Sequence, residues 1–505
     1  METWLTITII SFSIAALIKV ILNILFQSKQ QIRLPPSPVN IPIIRHLLWI
    51  RKSITELEPI ISSFHQKLGP IITLHIGFRQ TVIIADHSLA HQALVQNSAV
   101  FADRPQALVV DSIGLSLYGS TWRILRRNLM SNLLHPSRLR SYSQVRKWSL
   151  DILLNLLESQ RKSGDHRHLP VCVRVRDMFQ YTMFSLLVFM CFGDKLDDEQ
   201  IKEIQRVEYL VLANIDRFEL NFWPRLSKIL FRKQWSEFLQ IEKDREDTLI
   251  PLIRARKKMK ERENKNDHIL SYVDTLLDLQ LSDEKRKLTE KEMLILCEEF
   301  INAGSDSTAA VLQWIMAHLV KDPSIQEKLF TEIKSVVPDG EEEVKEDDLQ
   351  RMPYLKAVIL EALRRHPPAH FVIPHTITED VVLADKYFLP KNVEVNFMVA
   401  DMGWDPNVWE DPMAFKPERF VGDGEVIDIT GSKEIKMMPF GAGRRICPAG
   451  YGFALLHLEY FLANLVWKYE WKLGVDEDDI DLSETLDFTS EMKNPLQARI
   501  SPRFK

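Results

Sequence analysis

One cysteine stands in a stretch unlike any other in the chain. Pro439-Phe440-Gly441-Ala442-Gly443-Arg444-Arg445-Ile446-Cys447-Pro448-Ala449-Gly450-Tyr451-Gly452 surrounds Cys447 with four of the chain's 17 glycines. Glycine is scarce here, about 3.4% of residues against a usual ~7%, so this cluster is a concentration of a rare residue. Glycine lets a backbone come close to a flat ligand and adopt φ > 0. A cysteine just before a helix N-terminus meets backbone N–H groups and a dipole that favour an anionic sulfur. Pro448 suits a first helical position. Together these features suit a thiolate metal ligand. Cys172, Cys191 and Cys297 lie far apart, with no Cys-x-x-Cys, so no disulfide scaffold or zinc finger is expected and a reducing compartment fits.

A second set lies within one apolar span. Thr289-Glu290-Lys291-Glu292 reads as a capping box. The helix it opens runs to about Val320, where Asp322-Pro323 stops it. At its centre sit Ala303, Gly304, Ser305, Asp306, Ser307 and Thr308, an acid and three hydroxyls among small residues. Phe300, Ala303, Gly304, Ser307 and Val311 are expected to share a face that leaves room for a ligand, the competing reading of Gly304 being a helix–helix contact. Trp122 and Arg126, at i and i+4, put two donors suited to a carboxylate on one face. Glu361 and Arg364, at i and i+3, pair on another helix, and Phe415-Lys416-Pro417-Glu418-Arg419-Phe420 lies about 55 residues further on. His375, after Pro374, is either a ligand-binding or a strand histidine.

These residues need elements to hold them. The chain has 505 residues and 46% hydrophobic content, enough for a large core. The net charge of −5 excludes a basic nucleic-acid binder. Trp4–Phe26 is one apolar run; 23 helical residues reach roughly 34 Å, enough for a ~30 Å hydrocarbon core. Basic residues follow it, from Lys29 to Lys52, and the positive-inside rule then places the body in the cytosol. The competing reading is a cleaved signal peptide, and no small-x-small site follows the run. The expected division is an anchor at 1–26, a Pro-rich hinge at 27–45 and one domain at 46–505. Ile71–Ile76 and Gln80–Ala85 read as a hairpin, about 138–338 as helical, Val381–Val399 as strand-like, and Gly452–Trp471 as a last helix. The expected fold is mostly α with small β-sheets.

The cysteine loop resembles the cytochrome P450 haem-thiolate family. Phe440, Gly443, Arg445 and Cys447 match its Phe-x-x-Gly-x-Arg-x-Cys-x-Gly signature, with Ala449 where the family has Gly. The pattern is similar to plant A-type enzymes, in particular the 89A subfamily. The resemblance implies a single large P450 fold behind a transmembrane helix, and haem b as cofactor. It makes Cys447 the iron ligand, in a family whose thiolate favours O–O cleavage. Phe440, Gly443 and Arg445 would help bind the macrocycle, and Trp122, Arg126, Arg445 and His375 are its propionate candidates. The span at 303–308 resembles the oxygen-binding helix, with Asp306 as the acid, Ser307 where the family has Thr, and Thr308 as a further hydroxyl; Phe415–Phe420 resembles the segment that adds Arg419 to Glu361 and Arg364 in a buried network behind the cysteine loop.

The implied function is a monooxygenase acting on a hydrophobic small molecule and O2, in the endoplasmic reticulum membrane with its domain in the cytosol. The chain has no Gly-x-Gly-x-x-Gly and no P-loop, so electrons would come from NADPH through a flavoprotein reductase. Between Asp111 and Asp151 there is no acid but Arg123, Arg126, Arg127, Arg138, Arg140, Arg146 and Lys147, which suits docking of an acidic partner. Two other readings stand: a reductase-independent haem-thiolate isomerase or dehydratase, and a non-catalytic haem-binding protein. The implied pocket walls are Ala107–Tyr118, Asn214–Trp223, Ala369–Ile373 and Leu486–Glu491, with Phe218, Phe222, Phe371 and Phe488 making the pocket aromatic.

Overall fold

The computed structural model describes residues 34–38, 54–76, 79–106, 112–162, 172–213, 232–262, 269–281, 286–422, 427–474, 479–486 and 489–504. The expected anchor at 1–26 and most of the hinge lie outside them. Among the described residues no helix is long and apolar enough to cross a membrane. The described part of the hinge is docked: Thr73 N–H donates to the Pro36 carbonyl and Thr73 Oγ1 to that of Pro35, each at 2.9 Å.

In chain order, the elements that position the site begin with α1 (Ile54–Leu68) and the expected hairpin, β1 (Ile71–Ile76) with β2 (Arg79–Ile84). Then come α2 (Ser120–Asn128), α3 (Ser143–Lys162), β3 (Cys172–Arg174), α4 (Val175–Phe192), α5 (Asp198–Ala213) and α6 (Arg232–Arg262). The long α7 (Glu290–Lys321) is followed by α8 (Pro353–Arg365), β4 (His375–Thr376) and β5 (Glu394–Phe397). The chain ends with α9 (Leu455–Lys468), β6 (Tyr469–Leu473), the hairpin β7 (Glu484–Leu486) with β8 (Ser490–Met492), and β9 (Gln497–Pro502).

α7 is the axis of the molecule. Its capping box forms as expected, Thr289 with Glu292, and its last residue precedes Asp322-Pro323. Every residue from Ala309 to Val320 is buried, the signature of a helix packed on all sides. It lies along α4, in which Phe179, Met183, Phe184 and Leu187 are buried. A separate four-stranded sheet, in the order β1-β2-β5-β4, carries its own apolar cluster around Val82, Ile84, Val395 and Phe397.

Among the described residues of 138–338 the helical expectation holds, with strand only at β3 and in a short pair at Gln280–Leu281 and Arg286–Lys287. β3 pairs with β9, near the other end of the chain, and β9 pairs with β6. The last helix was expected to reach Trp471 but stops at Lys468, because Tyr469 and Trp471 alternate into the core as strand residues.

Behind the cysteine loop the expected acid–base network is present and buried. Glu361 accepts from Arg364 Nε at 2.7 Å and Nη2 at 2.8 Å, from Lys416 N–H at 2.8 Å, and from Arg419 Nε at 3.3 Å. The basic stretch divides. Arg123, Arg127, Arg138 and Arg140 are exposed, whereas Arg146 is buried in an ion pair with Glu346 at 2.6 Å and Lys147 pairs with Glu343.

Candidate active site

The cysteine loop is shaped by backbone that only glycine permits. Gly443 has φ +70°, and a Cβ there would lie 1.8 Å from the Leu94 carbonyl oxygen. Gly450 packs on the Phe440 ring, where a Cβ would come within 2.6 Å. Cys447 N–H donates to the Phe440 carbonyl at 2.8 Å, closing the loop. The helix after it opens as one wide turn, Gly450–Ala454, so Pro448 falls two residues before the helix instead of at its first position. Ala449, at the family's Gly position, has φ −93°, a conformation alanine adopts without strain.

Two properties of Cys447 occur together. The residue is exposed. The protein around it nevertheless pushes the thiol up by burial, opposed by the Ala449 and Gly450 N–H groups and by Arg126. A group lining an inward-facing hollow has both properties. Ala303 shares the first of them: it is exposed in the middle of α7, between buried Asn302 and buried Ser305.

The donors predicted from sequence converge on one ring. The Arg445 guanidinium lies 4.6 Å and that of Arg126 5.4 Å from the Trp122 ring. Trp122 Nε1 donates to the Ile113 carbonyl at 2.9 Å, and Arg126 Nη2 to the Ile446 carbonyl at 2.6 Å. Arg445 donates to the carbonyls of Ala102, Ile113 and Ser116. Burial pulls Arg445 down to about 10, which leaves it charged at neutral pH, and burial also lowers Arg126, opposed by Cys447. His375 is buried in β4, and its Nδ1 is 2.6 Å from the Phe101 carbonyl. Burial holds it down to about 3, so it is neutral.

On α7 the structure separates three residues adjacent in sequence. Ser307 Oγ donates to the Ala303 carbonyl at 2.6 Å and Thr308 Oγ1 to that of Gly304 at 2.7 Å, each back-bonded by one turn. Asp306 turns toward α4 and accepts from Gln180 Nε2 at 2.6 Å. Burial raises its carboxyl, opposed by Gln180 and Arg176. Asp306 lines a cavity of about 300 Å³ with Gln180, Glu208, Asn302 and Ser305, bordered by the exposed Lys202 and Arg206. Gly304 corrects the ligand-facing expectation, since a Cβ there would meet Leu187 of α4 at 2.8 Å. Phe300 likewise packs in the core, against Tyr272 and Phe453.

Sequence reasoning passed over Arg104 and Glu299. Arg104 donates to the carbonyls of Gly114, Ile373 and Pro374. Glu299 accepts from Ile113 N–H at 2.7 Å and Gly114 N–H at 2.5 Å. The available signal was the pair Glu298-Glu299 in an apolar helix: Glu298 pairs with Arg245 of α6, which leaves Glu299 to be accounted for. Of the expected pocket walls, 107–111, 214–223 and 487–488 lie outside the described residues, including Phe218, Phe222 and Phe488. Phe371 is half-buried beside Met398.

The residues present fit a flat, dianionic, metal-centred group. The soft sulfur of an exposed cysteine supplies the donor, and Ala303 is exposed on the central helix. Two charged guanidiniums beside Trp122 have no ion pair within 4.0 Å among the described residues, so their charge is available to carboxylates.

Comparison with known proteins agrees. The profile of the Cytochrome P450 family matches residues 35–496. The chain is 47% identical over 495 residues to Cytochrome P450 89A9 of Arabidopsis thaliana, covering 94% of each. It is 29% identical to costunolide synthase of Cichorium intybus, covering 92% of each. Zebra fish cytochrome P450 structures with abiraterone and with progesterone superpose at a TM-score of 0.70 and 20% identity, covering 88% and 92% of this chain and 100% of theirs. That likeness speaks for the fold. The chain thus belongs to the cytochrome P450 family, haem-dependent oxidoreductases of the monooxygenase class, and is of the plant 89A type.

Proposed function

We propose that the chain is a haem-thiolate monooxygenase that inserts one oxygen atom of O2 into a hydrophobic small molecule, with electrons drawn from NADPH by a membrane-bound flavoprotein reductase. Bound haem b would supply the activation of dioxygen. Cys447 holds its iron as a thiolate, and Phe440 and Gly443 set the loop around that sulfur. Arg126 and Arg445 would hold the propionates; Trp122, whose one N–H is taken by the Ile113 carbonyl, would instead hold the two guanidiniums against its ring, and His375 buttresses that side from β4 as a neutral imidazole. Asp306, whose carboxyl burial raises, and the hydroxyls of Ser307 and Thr308 are the side chains that would deliver protons, the two hydroxyls by turning away from the Ala303 and Gly304 carbonyls they bond here. The cavity beside Asp306, with exposed Lys202 and Arg206 at its border, gives protons from solvent a route to that carboxyl.

The exposed Arg123, Arg127, Arg138 and Arg140 support docking of an acidic reductase. The apolar run Trp4–Phe26, the basic residues after it and the docking of Pro35 on β1 support a single-pass protein of the endoplasmic reticulum with its domain in the cytosol. The observation that carries this reading is the exposed Cys447 in a loop whose backbone excludes a side chain at Gly443. A reduced, CO-bound difference spectrum tests the thiolate. A thiolate-type band is expected, and its absence defeats the reading. NADPH consumption with reductase then separates a monooxygenase from a reductase-independent isomerase or dehydratase.

A further inference from the structure

Glu299 sits one turn before Ala303 on α7, so Glu299, Ala303 and Ser307 lie at i, i+4 and i+8 on one stripe. It resembles Cys447 in its surroundings: half-exposed by surface, yet with its carboxyl pushed up by burial. A carboxyl lining an inward-facing hollow is costly unless hydrogen-bonded. Here its two oxygens are taken by the start of the 112–118 segment: Oε2 accepts from Ile113 N–H at 2.7 Å and Oε1 from Gly114 N–H at 2.5 Å, and the Ser112 hydroxyl also bonds the carboxylate. The fit requires glycine at 114, because a Cβ there would lie 2.7 Å from Glu299 Oε1. On the other side of the same residue, Arg104 Nε donates to the Gly114 carbonyl at 2.7 Å. Arg104 Nη1 donates to Ile373 and Pro374 at 2.9 and 3.0 Å. Gly114 is therefore the point where 112–118, α7 and 373–374 are fastened together.

We infer that Glu299 is a positioning residue that sets the shape of the substrate hollow, by clamping the 112–118 segment to α7 opposite the Arg104 tie to 373–374. This rests on the reading of that hollow as the haem and substrate site. A carboxylate suits the role because it offers an acceptor to each of two adjacent N–H groups. A glutamine offers one acceptor and turns its amide N–H toward a donor, so it releases one end of the clamp.

The test uses full-length, haem-loaded protein and two measurements. Hydrogen–deuterium exchange is followed in peptides covering 112–118 and 441–452. Affinity is followed by Soret titration with imidazole and with 4-phenylimidazole, a small and a bulky azole. In Glu299→Gln, exchange at 112–118 should rise about tenfold while 441–452 is unchanged. The ratio of the two azole affinities should shift by about fivefold or more, because only the bulky probe reaches the wall. Glu299→Asp, which keeps both acceptors, should fall between wild type and Glu299→Gln. Gly114→Ala pushes on the carboxylate from the other side and should reproduce both changes, so it serves if Glu299→Gln does not load haem. Unchanged exchange at 112–118, or faster exchange with an unchanged affinity ratio, overturns the inference. If the wild type gives no azole shift of the Soret band, the haem reading fails, and the exchange measurement alone still decides whether Glu299 is the clamp.

Discussion

The cysteine loop and the middle of α7 both place a glycine beside a reactive side chain, but the two glycines do different work. At Gly443 the main chain is left-handed and the space is closed by a backbone carbonyl, which cannot move aside. At Gly304 the main chain is ordinary helix and the neighbour is the end of a leucine side chain, which can turn. The loop holds Cys447 through its backbone. The helix offers Asp306, Ser307 and Thr308 as side chains with other partners available, and all three use them: Gln180, the Ala303 carbonyl and the Gly304 carbonyl. A site built into backbone shape tolerates no substitution, whereas one built from side chains on a regular helix loses function by degrees.

The largest effect is expected at the sulfur itself. Cys447→Ala should abolish the thiolate-type CO band, while Cys172→Ala, Cys191→Ala and Cys297→Ala retain it, Cys191 and Cys297 being buried away from the loop. A band that survives in Cys447→Ala would end the comparison by removing one of its terms. Next is Gly443→Ala. The left-handed conformation alone costs about 1–2 kcal/mol for a side-chain-bearing residue, and the overlap with Leu94 adds a displacement of the loop. Holoprotein yield should drop sharply, as read by haem per protein; wild-type yield would show that the loop can move.

This contrast also explains what could be read without coordinates. The loop was legible because glycine, cysteine and proline act through local backbone chemistry that composition exposes. The capping box at Thr289 and the stop at Asp322-Pro323 were legible for the same reason. The network at Glu361 was legible in its i, i+3 pair, but its second arginine came by resemblance. The direction of Gly304 was not legible, because it depends on Leu187, 117 residues earlier, and a regular helix presents every face to something. The β3-β9-β6 sheet was likewise out of reach: three residues of β3 carry too little pattern to announce a partner at the other end of the chain.

Two predictions of intermediate size sharpen the comparison. Glu361→Ala removes the shared acceptor of Arg364 and Arg419 behind the loop. Truncating one partner of a buried pair costs about 3–5 kcal/mol, so melting temperature and haem retention should fall together; unchanged values would mean the two arginines are satisfied by the carbonyls they also reach. Ser307→Ala should leave haem content and NADPH consumption near wild type while product falls and hydrogen peroxide rises. A positioned proton donor is worth about 10²–10⁴-fold, and Thr308, on the same carbonyl ladder, makes the loss here smaller than that. Measuring NADPH, peroxide and product together checks it, and unchanged coupling would assign the relay to Thr308 or to water.

The smallest effect is the one that most directly divides the two regions. Gly304→Ala should be nearly neutral. Alanine gains about 1 kcal/mol over glycine in a helix interior. Against that gain stands a contact of 2.8 Å with Leu187 Cδ1. A buried leucine can relieve it by a change of rotamer that costs a similar amount, about 0.5–1.5 kcal/mol if left off-rotamer. The two terms oppose each other, so the melting temperature should move little in either direction and haem content should hold. A substitution of the same size, glycine to alanine, would then disable the cysteine loop and spare the helix. If Gly304→Ala instead lost haem as Gly443→Ala does, the missing Cβ would face the ligand after all. The helix would then be shaped around its site through backbone in the same way as the loop.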